Sequence, residues 1–152
     1  MVIRNILVGV DGSENSDRAL DFALDLAEKF NASILILNVS ESLVMGAVPQ
    51  ESTAYSGGDG NTAAFGKDLM KIHDEILSRS VARAKAVKPN LVVSSMLKGG
   101  DPALEIVNTA KEGGFDVIVV GHRGLGKMEE LFLGSISEKV AHLAPCPVII
   151  VK

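Results

Sequence analysis

Gly121, Gly124 and Gly134, with Ser135 directly after the last of them, make up the stretch of this chain best suited to chemistry. Two residues separate Gly121 from Gly124, and nine separate Gly124 from Gly134. The stretch follows an aliphatic run and leads into a helical pattern. Backbone N–H groups at such a helix start have no intrahelical partner, and with the helix dipole behind them they attract an anion, of which phosphate is the natural guest. Glycines let the main chain approach phosphate oxygens closely and adopt positive φ. Ser135 and Ser137 add hydroxyl donors, and Arg123 and Lys127 place positive charge nearby, on side chains that solvent can equally hold in the free protein. A bulky residue at 134 would, on this reading, enter the phosphate path. Ser135 has a second role open to it, because Ser135-Ile136-Ser137-Glu138 is also a capping box in which the Ser135 hydroxyl bonds the Glu138 amide.

Other patterns carry less. Gly121 to Lys127 reads Gly-x4-Gly-Lys, but a P-loop continues with Ser or Thr, whose hydroxyl binds magnesium, and here the next residue is Met128. Ser56-Gly57-Gly58-Asp59 has the flavour of a pyrophosphate loop yet does not follow the first strand. His73, His122 and His142 lack metal-ligand spacing and read as solvated or structural histidines. Cys146, between two prolines and without an identifiable base, reads as a packing residue.

Elements that must position the glycine stretch follow from periodicity. Apart from a few polar residues, Ile3 to Val10 is apolar and β-branched, and it ends in Asp11-Gly12-Ser13, which predicts a strand and turn. From Ser13 to Phe30, apolar residues at 20, 23, 24 and 27 predict an amphipathic helix. Ser33 to Val39 reads as a second strand, and Ser40 to Thr62 as a long loop, partly unordered. A helix over Ala63 to Val87 stops before Pro89, and Leu91 to Lys98 is a third strand. Asp101 then caps a helix with Pro102 at its first position, ended by Gly113-Gly114. Asp116 to Val120, Ser135 to Leu143 and Pro147 to Val151 supply a fourth strand, a fourth helix and a fifth strand. Unbroken alternation predicts an α/β fold: a single open, doubly wound, five-stranded parallel sheet of Rossmann-like type, with helices on both faces. The strand order expected for it is 3-2-1-4-5. In that order the first and fourth strands meet at the switch point, which brings Asp11 opposite Gly121. Asp11 also has humbler roles open, as a cap of the first helix or a shaper of the Asp-Gly turn.

Whole-chain properties narrow the function classes. With 152 residues the chain is about one domain, expected over 1–152. Fifteen basic against nineteen acidic residues, a net charge of −4, argue against a protein built to hold nucleic acid or an anionic membrane surface. No apolar run approaches the roughly 20 residues of a membrane span. A single cysteine excludes an intramolecular disulfide and a Cys-rich zinc site, which fits a cytoplasmic location.

The spacing Gly-x2-Gly-x9-Gly-Ser, the opening Ile6-Leu7-Val8-Gly9-Val10-Asp11-Gly12-Ser13 and the closing Ala144-Pro145-Cys146-Pro147-Val148 together resemble the universal stress proteins, over nearly the whole sequence. The glycine spacing is similar to that of the family's ATP-binding branch, so the resemblance implies ATP. It implies Asp11 near the ribose and phosphates, Val39 against the adenine, Gly121 and Gly124 under the ribose and phosphates, and Gly134, Ser135 and Ser137 on the phosphate tail. Val39 is otherwise simply a core valine. Mg²⁺ is expected with the nucleotide, Asp11 supplying a carboxylate toward metal or ribose. The leading expectation is a nucleotide-dependent stress-response or signalling module acting on an unidentified downstream protein. A slow ATP hydrolase or phosphoryl-transfer enzyme is the alternative, for which Glu129 and Glu130 are the nearest carboxylates and are more simply exposed charges. A nucleotide-free interaction module is a third reading.

The last strand carries one further expectation. Val148 to Val151 puts aliphatics on both faces of an edge strand, and universal stress proteins commonly pair such strands antiparallel, so the resemblance implies a homodimer. A proline at position 149 is expected to remove a ladder donor from that pairing.

Overall fold

A computed structural model describes residues 1–41, 61–125 and 132–152. Its elements, in chain order, are β1 (Asn5–Gly9), α1 (Glu14–Phe30), β2 (Ser33–Ser40), α2 (Asn61–Val87), β3 (Val93–Gly99), α3 (Pro102–Gly113), β4 (Val117–Gly121), α4 (Ser135–Leu143) and β5 (Val148–Val151). The five strands form one parallel sheet, as the alternation predicts, and their order is the expected β3-β2-β1-β4-β5. Among the described residues no helix is long and apolar enough to cross a membrane.

Local chemistry sets the ends of these elements. Gly12, at φ +85°, makes the turn out of β1. Ser13 then caps α1, its Oγ accepting from the Ser16 N–H at 3.1 Å, with Glu14 and Asp17 in the first turn to complement the helix dipole. Asp101 caps α3 through the Leu104 N–H at 3.0 Å, and Gly114 ends that helix in the left-handed region at φ 61°. β3 starts two residues later than the aliphatic run suggests, because the Leu91 N–H turns back onto the Lys88 carbonyl at 3.2 Å. The expected 40–62 loop is trimmed at both ends, since Ser40 belongs to β2 and Asn61 opens α2; most of it lies outside the described residues, as do Lys127, Glu129 and Glu130.

Each strand of the sheet centre sends alternate side chains to opposite faces. Ile6, Val8, Ile36 and Val119 pack under Leu20 and Leu24 of α1 and Leu77 of α2. Leu7, Leu37, Ile118 and Val120 pack under Ile106 of α3 and Val140 of α4. The central strands are therefore covered on both sides, which is why they read as continuous aliphatic runs. Their carboxyl ends converge at one edge of the sheet, and there β1 and β4, sequence neighbours of neither each other nor a common hairpin, lie side by side.

At the opposite end of β4, the Asp116 carboxylate accepts N–H bonds from Arg4 at 2.8 Å and Asn5 at 2.9 Å, and these bonds hold its carboxyl below the usual carboxylate range. The Leu104 N–H, and after it Lys139, do the same for Asp101. A carboxyl whose folded pKa is depressed contributes stability above its unfolded pKa of about 3.9, and loses that contribution as pH falls through the lower folded value. The melting-temperature gap between the parent and Asp116→Asn is accordingly expected to be widest near neutrality and to close below about pH 4. A gap that stays constant down to pH 2 in calorimetric scans would show the two N–H bonds do not select the charged form.

Candidate functional site

At the carboxyl ends of β1, β2 and β4 lies a cleft of ≈ 530 Å³, counting its space open to solvent. Its apolar part is walled by Leu37 and Val39 of β2, Ile106 of α3 and Val120 of β4, with Pro102 beside them. Its polar part carries Asp11, Gly121, Gly124 and Ser137 and continues into a second hollow bordered by Gly134 and Ser135. All seven residues singled out from the sequence thus border one composite cleft, apolar at one end and lined by Asp11, glycines and serines at the other.

Asp11 sits in the turn between β1 and α1. Its Oδ1 accepts the Ser13 N–H at 2.9 Å, and its own N–H donates to Ser16 Oγ at 3.3 Å. The helix cap is Ser13, so of the humbler roles the turn-shaping one is realised and the capping one is not. Its second oxygen faces the glycine stretch: a Cβ built on Gly124 would lie 2.5 Å from Asp11 Oδ2. A side chain at 124 would push this carboxylate aside, so the close approach belongs to glycine. Gly121 is confined differently, since a Cβ there would meet the backbone carbonyl carbon and oxygen of Asn15, each at 2.8 Å. Gly121 therefore lets the start of α1 lie against the end of β4.

Gly134 lies against the start of its own loop. Its N–H donates to the His122 carbonyl at 2.8 Å, and a Cβ on it would stand 3.0 Å from that same oxygen and 3.2 Å from Arg123 Cα. A side chain at 134 would press first on the His122 carbonyl and the Arg123 backbone. Gly134 is also the N-cap of α4, without a side-chain cap bond, and its carbonyl takes the Glu138 N–H at 3.0 Å. The capping box is therefore not formed: the helix starts one residue earlier than that motif requires, and the Ser135 hydroxyl is not engaged by the Glu138 amide. Ser137 is buried, and its hydroxyl donates to the Gly121 carbonyl at 2.6 Å, tying the first turn of α4 to the end of β4. Arg123 turns its Nε to the Phe132 carbonyl at 3.2 Å, bracing the loop from within.

Sequence reading missed part of this wall. Ile106 was recognisable only as the buried face of a helix, and Pro102 only as a helix-start residue, yet both line the cleft. Ser16 gave no signal, because its contact with the Asp11 N–H depends on the first turn of α1 folding over the β1 end. Among the described residues no group of three or more His, Cys, Asp or Glu side chains is placed to hold a metal ion. A lone carboxylate such as Asp11 suits Mg²⁺ that keeps most of its waters and takes its other ligands from a phosphate chain.

The comparisons with known proteins agree with this architecture. The family model described as the universal stress protein family matches residues 3–152. Universal stress protein YxiE of Bacillus subtilis is 35% identical over 99% of this chain and 100% of its own length. The universal stress protein UspA of Lactobacillus plantarum has a similar fold, with a TM-score of 0.78 at 20% identity over 100% of this chain and 99% of that one. A solved universal stress protein in complex with cAMP is 26% identical, with a TM-score of 0.73 over 100% of this chain and 99% of its own.

Proposed function

The chain belongs to the universal stress protein family, and from that membership we propose that it is a stress-response or signalling module that binds ATP with Mg²⁺ and presents a nucleotide-dependent surface to a partner protein. One observation carries this reading: the carboxylate of Asp11 and the backbone of Gly124 meet across a cleft whose other end is apolar. A nucleotide has the same division, with a flat base at one end and charged oxygens at the other. Val39, with Ile106 and Leu37 around it, is the proposed seat of the adenine. Gly121 and Gly124 lie under the ribose and first phosphates. Ser135 and the N–H groups opening α4 take the phosphate tail, where a helix N-terminus favours negative charge. Ser137 serves the tail chiefly by locking α4 to β4, because its hydroxyl hydrogen is already given to Gly121. The cAMP bound by the 26%-identical relative supports an adenine nucleotide as the ligand class.

Titration calorimetry with Mg-ATP tests this, with Asp11→Ala beside the parent. The parent is expected to bind, and the variant to bind about tenfold or more weakly through loss of a charged contact to metal or ribose, a change of 1.4 kcal/mol or more. Absence of heat with the parent would defeat the proposal. Turnover is expected to be slow or absent, since the described residues around the cleft bind charge and hold no evident base, and binding ground state and transition state alike does not accelerate chemistry. Phosphate release on the order of 1 per second or faster from protein freed of trace ATPases would place the chain among enzymes.

The proposed working unit, a cytoplasmic homodimer over residues 1–152 joined through β5, rests on an edge strand with all four residues only partly buried.

A further inference from the structure

Three residues of α2 spaced three apart, His73, Ile76 and Arg79, lie along the turn that carries Asp11. His73 Nδ1 is 2.5 Å from Asn38 Oδ1. Asn38 is almost wholly buried, and its Nδ2 donates to the Val10 carbonyl at 2.7 Å. Ile76 fills the space beside Gly12, where a Cβ would lie 3.1 Å from its Cγ1. Arg79 Nη2 donates to the Gly12 carbonyl at 3.2 Å. The carbonyls on both sides of Asp11, those of Val10 and Gly12, are thus held by this stripe of α2 or by a side chain that it holds.

The orientation of Asn38 is the weak point that His73 secures. An amide side chain can be reversed, and reversal here would set Oδ1 against the Val10 carbonyl, acceptor against acceptor. Because Nδ2 is the atom that donates to Val10, Oδ1 is the acceptor facing α2, and His73 Nδ1 must carry the hydrogen that fills it. Asn38 is also the lone amide in an aliphatic strand, so an unfilled Oδ1 would be a buried acceptor without a partner, and the side chain would gain by turning away.

We infer that His73 and Asn38 are positioning residues for the nucleotide site: through the Val10 carbonyl they set the peptide that presents the Asp11 carboxylate to Gly124 and the ligand. This rests on the nucleotide reading above for its second readout only. Neither side chain borders the cleft, so neither touches the ligand.

The test compares His73→Leu, which removes the donor, with His73→Asn, whose amide nitrogen reaches about where Nδ1 stood. Without nucleotide, amide exchange by NMR reads the turn at the Ser13 N–H, which is bonded to Asp11 Oδ1, and reads the core at Leu24. Ser13 is expected to exchange about tenfold faster in His73→Leu, with Leu24 unchanged, and to return to within about threefold of the parent in His73→Asn. The Mg-ATP dissociation constant from calorimetry is expected to follow the same order. Unchanged Ser13 exchange in His73→Leu, equal acceleration in both variants, or Leu24 exchange rising together with Ser13 would each overturn the inference. So would parent-like Mg-ATP affinity in His73→Leu. A parent that takes up no Mg-ATP defeats the nucleotide reading instead, and the exchange comparison then decides alone whether the pair sets the turn.

Discussion

Gly121→Ala is expected to lower the thermal midpoint by roughly 6–12 °C, a loss of about 3 kcal/mol in a domain of this size. The added methyl has no free direction, because its Cβ would lie 2.8 Å from both the carbonyl carbon and the oxygen of Asn15. Those are backbone atoms in the first turn of α1, and α1 cannot retreat without lifting Leu20 and Leu24, fully buried, from the sheet. β4 cannot retreat either, since Gly121 is paired with Val151 of β5 and its carbonyl holds Ser137. Nucleotide affinity is expected to fall with stability, as the same shift opens Asp11 from the glycine stretch. Gly66→Ala in α2 is the control: nothing lies within 4 Å of a Cβ there, so relief from a helical glycine should stabilise by about 0.5–1 kcal/mol. Calorimetric scans of the two variants measure both signs at once. Equal midpoints for parent and Gly121→Ala would show that the β4–α1 contact yields easily and that the glycine is there for the ligand alone.

What the sequence made legible divides along the same line between local and distant causes. β1, α1 and α3 follow from periodicity and from caps at Ser13 and Asp101, which act within a few residues. The glycine spacing marked places of close approach, but not what approaches. For Gly121 it is the α1 backbone, for Gly124 a carboxylate from the other wall, and for Gly134 the neck of its own loop. A glycine records that a side chain is forbidden; the forbidding atom comes from another part of the chain. Asn38 shows the complementary case. A polar residue among Leu35, Ile36, Leu37 and Val39 was the signal available for the support of the Asp11 turn, but its partner His73 lies thirty-five residues on, across a stretch with no periodicity to set the distance. The capping box failed for a smaller reason, a shift of one residue in where α4 begins, which moved the cap from Ser135 to Gly134 and left the serine at the helix mouth.

Ile150→Pro, and not the proline at 149 that the strand pattern alone suggests, is expected to dissociate the proposed homodimer. In a β-strand the N–H and C=O of one residue point to the same side, and successive residues alternate. The Pro147 carbonyl accepts from the Ile118 N–H at 3.0 Å and the Val151 carbonyl from the His122 N–H at 2.8 Å, so 147 and 151 face β4. By the same alternation residue 149 faces β4 as well, and a proline there would break the protein's own sheet. Val148 and Ile150 turn their N–H and C=O groups outward, to the edge that a second copy would pair. In an antiparallel two-fold contact each substitution acts twice, once in each subunit. Removing one donor per copy, at about 1 kcal/mol each, weakens association by 2 kcal/mol or roughly thirtyfold, and the strain of the proline ring at an edge position adds to that. Ile149→Pro is then expected to lower the melting temperature of the subunit itself, whereas Ile150→Pro leaves it nearly intact while shifting the dimer toward monomer. Sedimentation equilibrium across a hundredfold range of concentration, paired with thermal scans, separates the two effects. A monomeric parent would remove the interface outright; a parent dimer that Ile150→Pro leaves at full strength would move it to another face, where the ladder groups of β5 take no part.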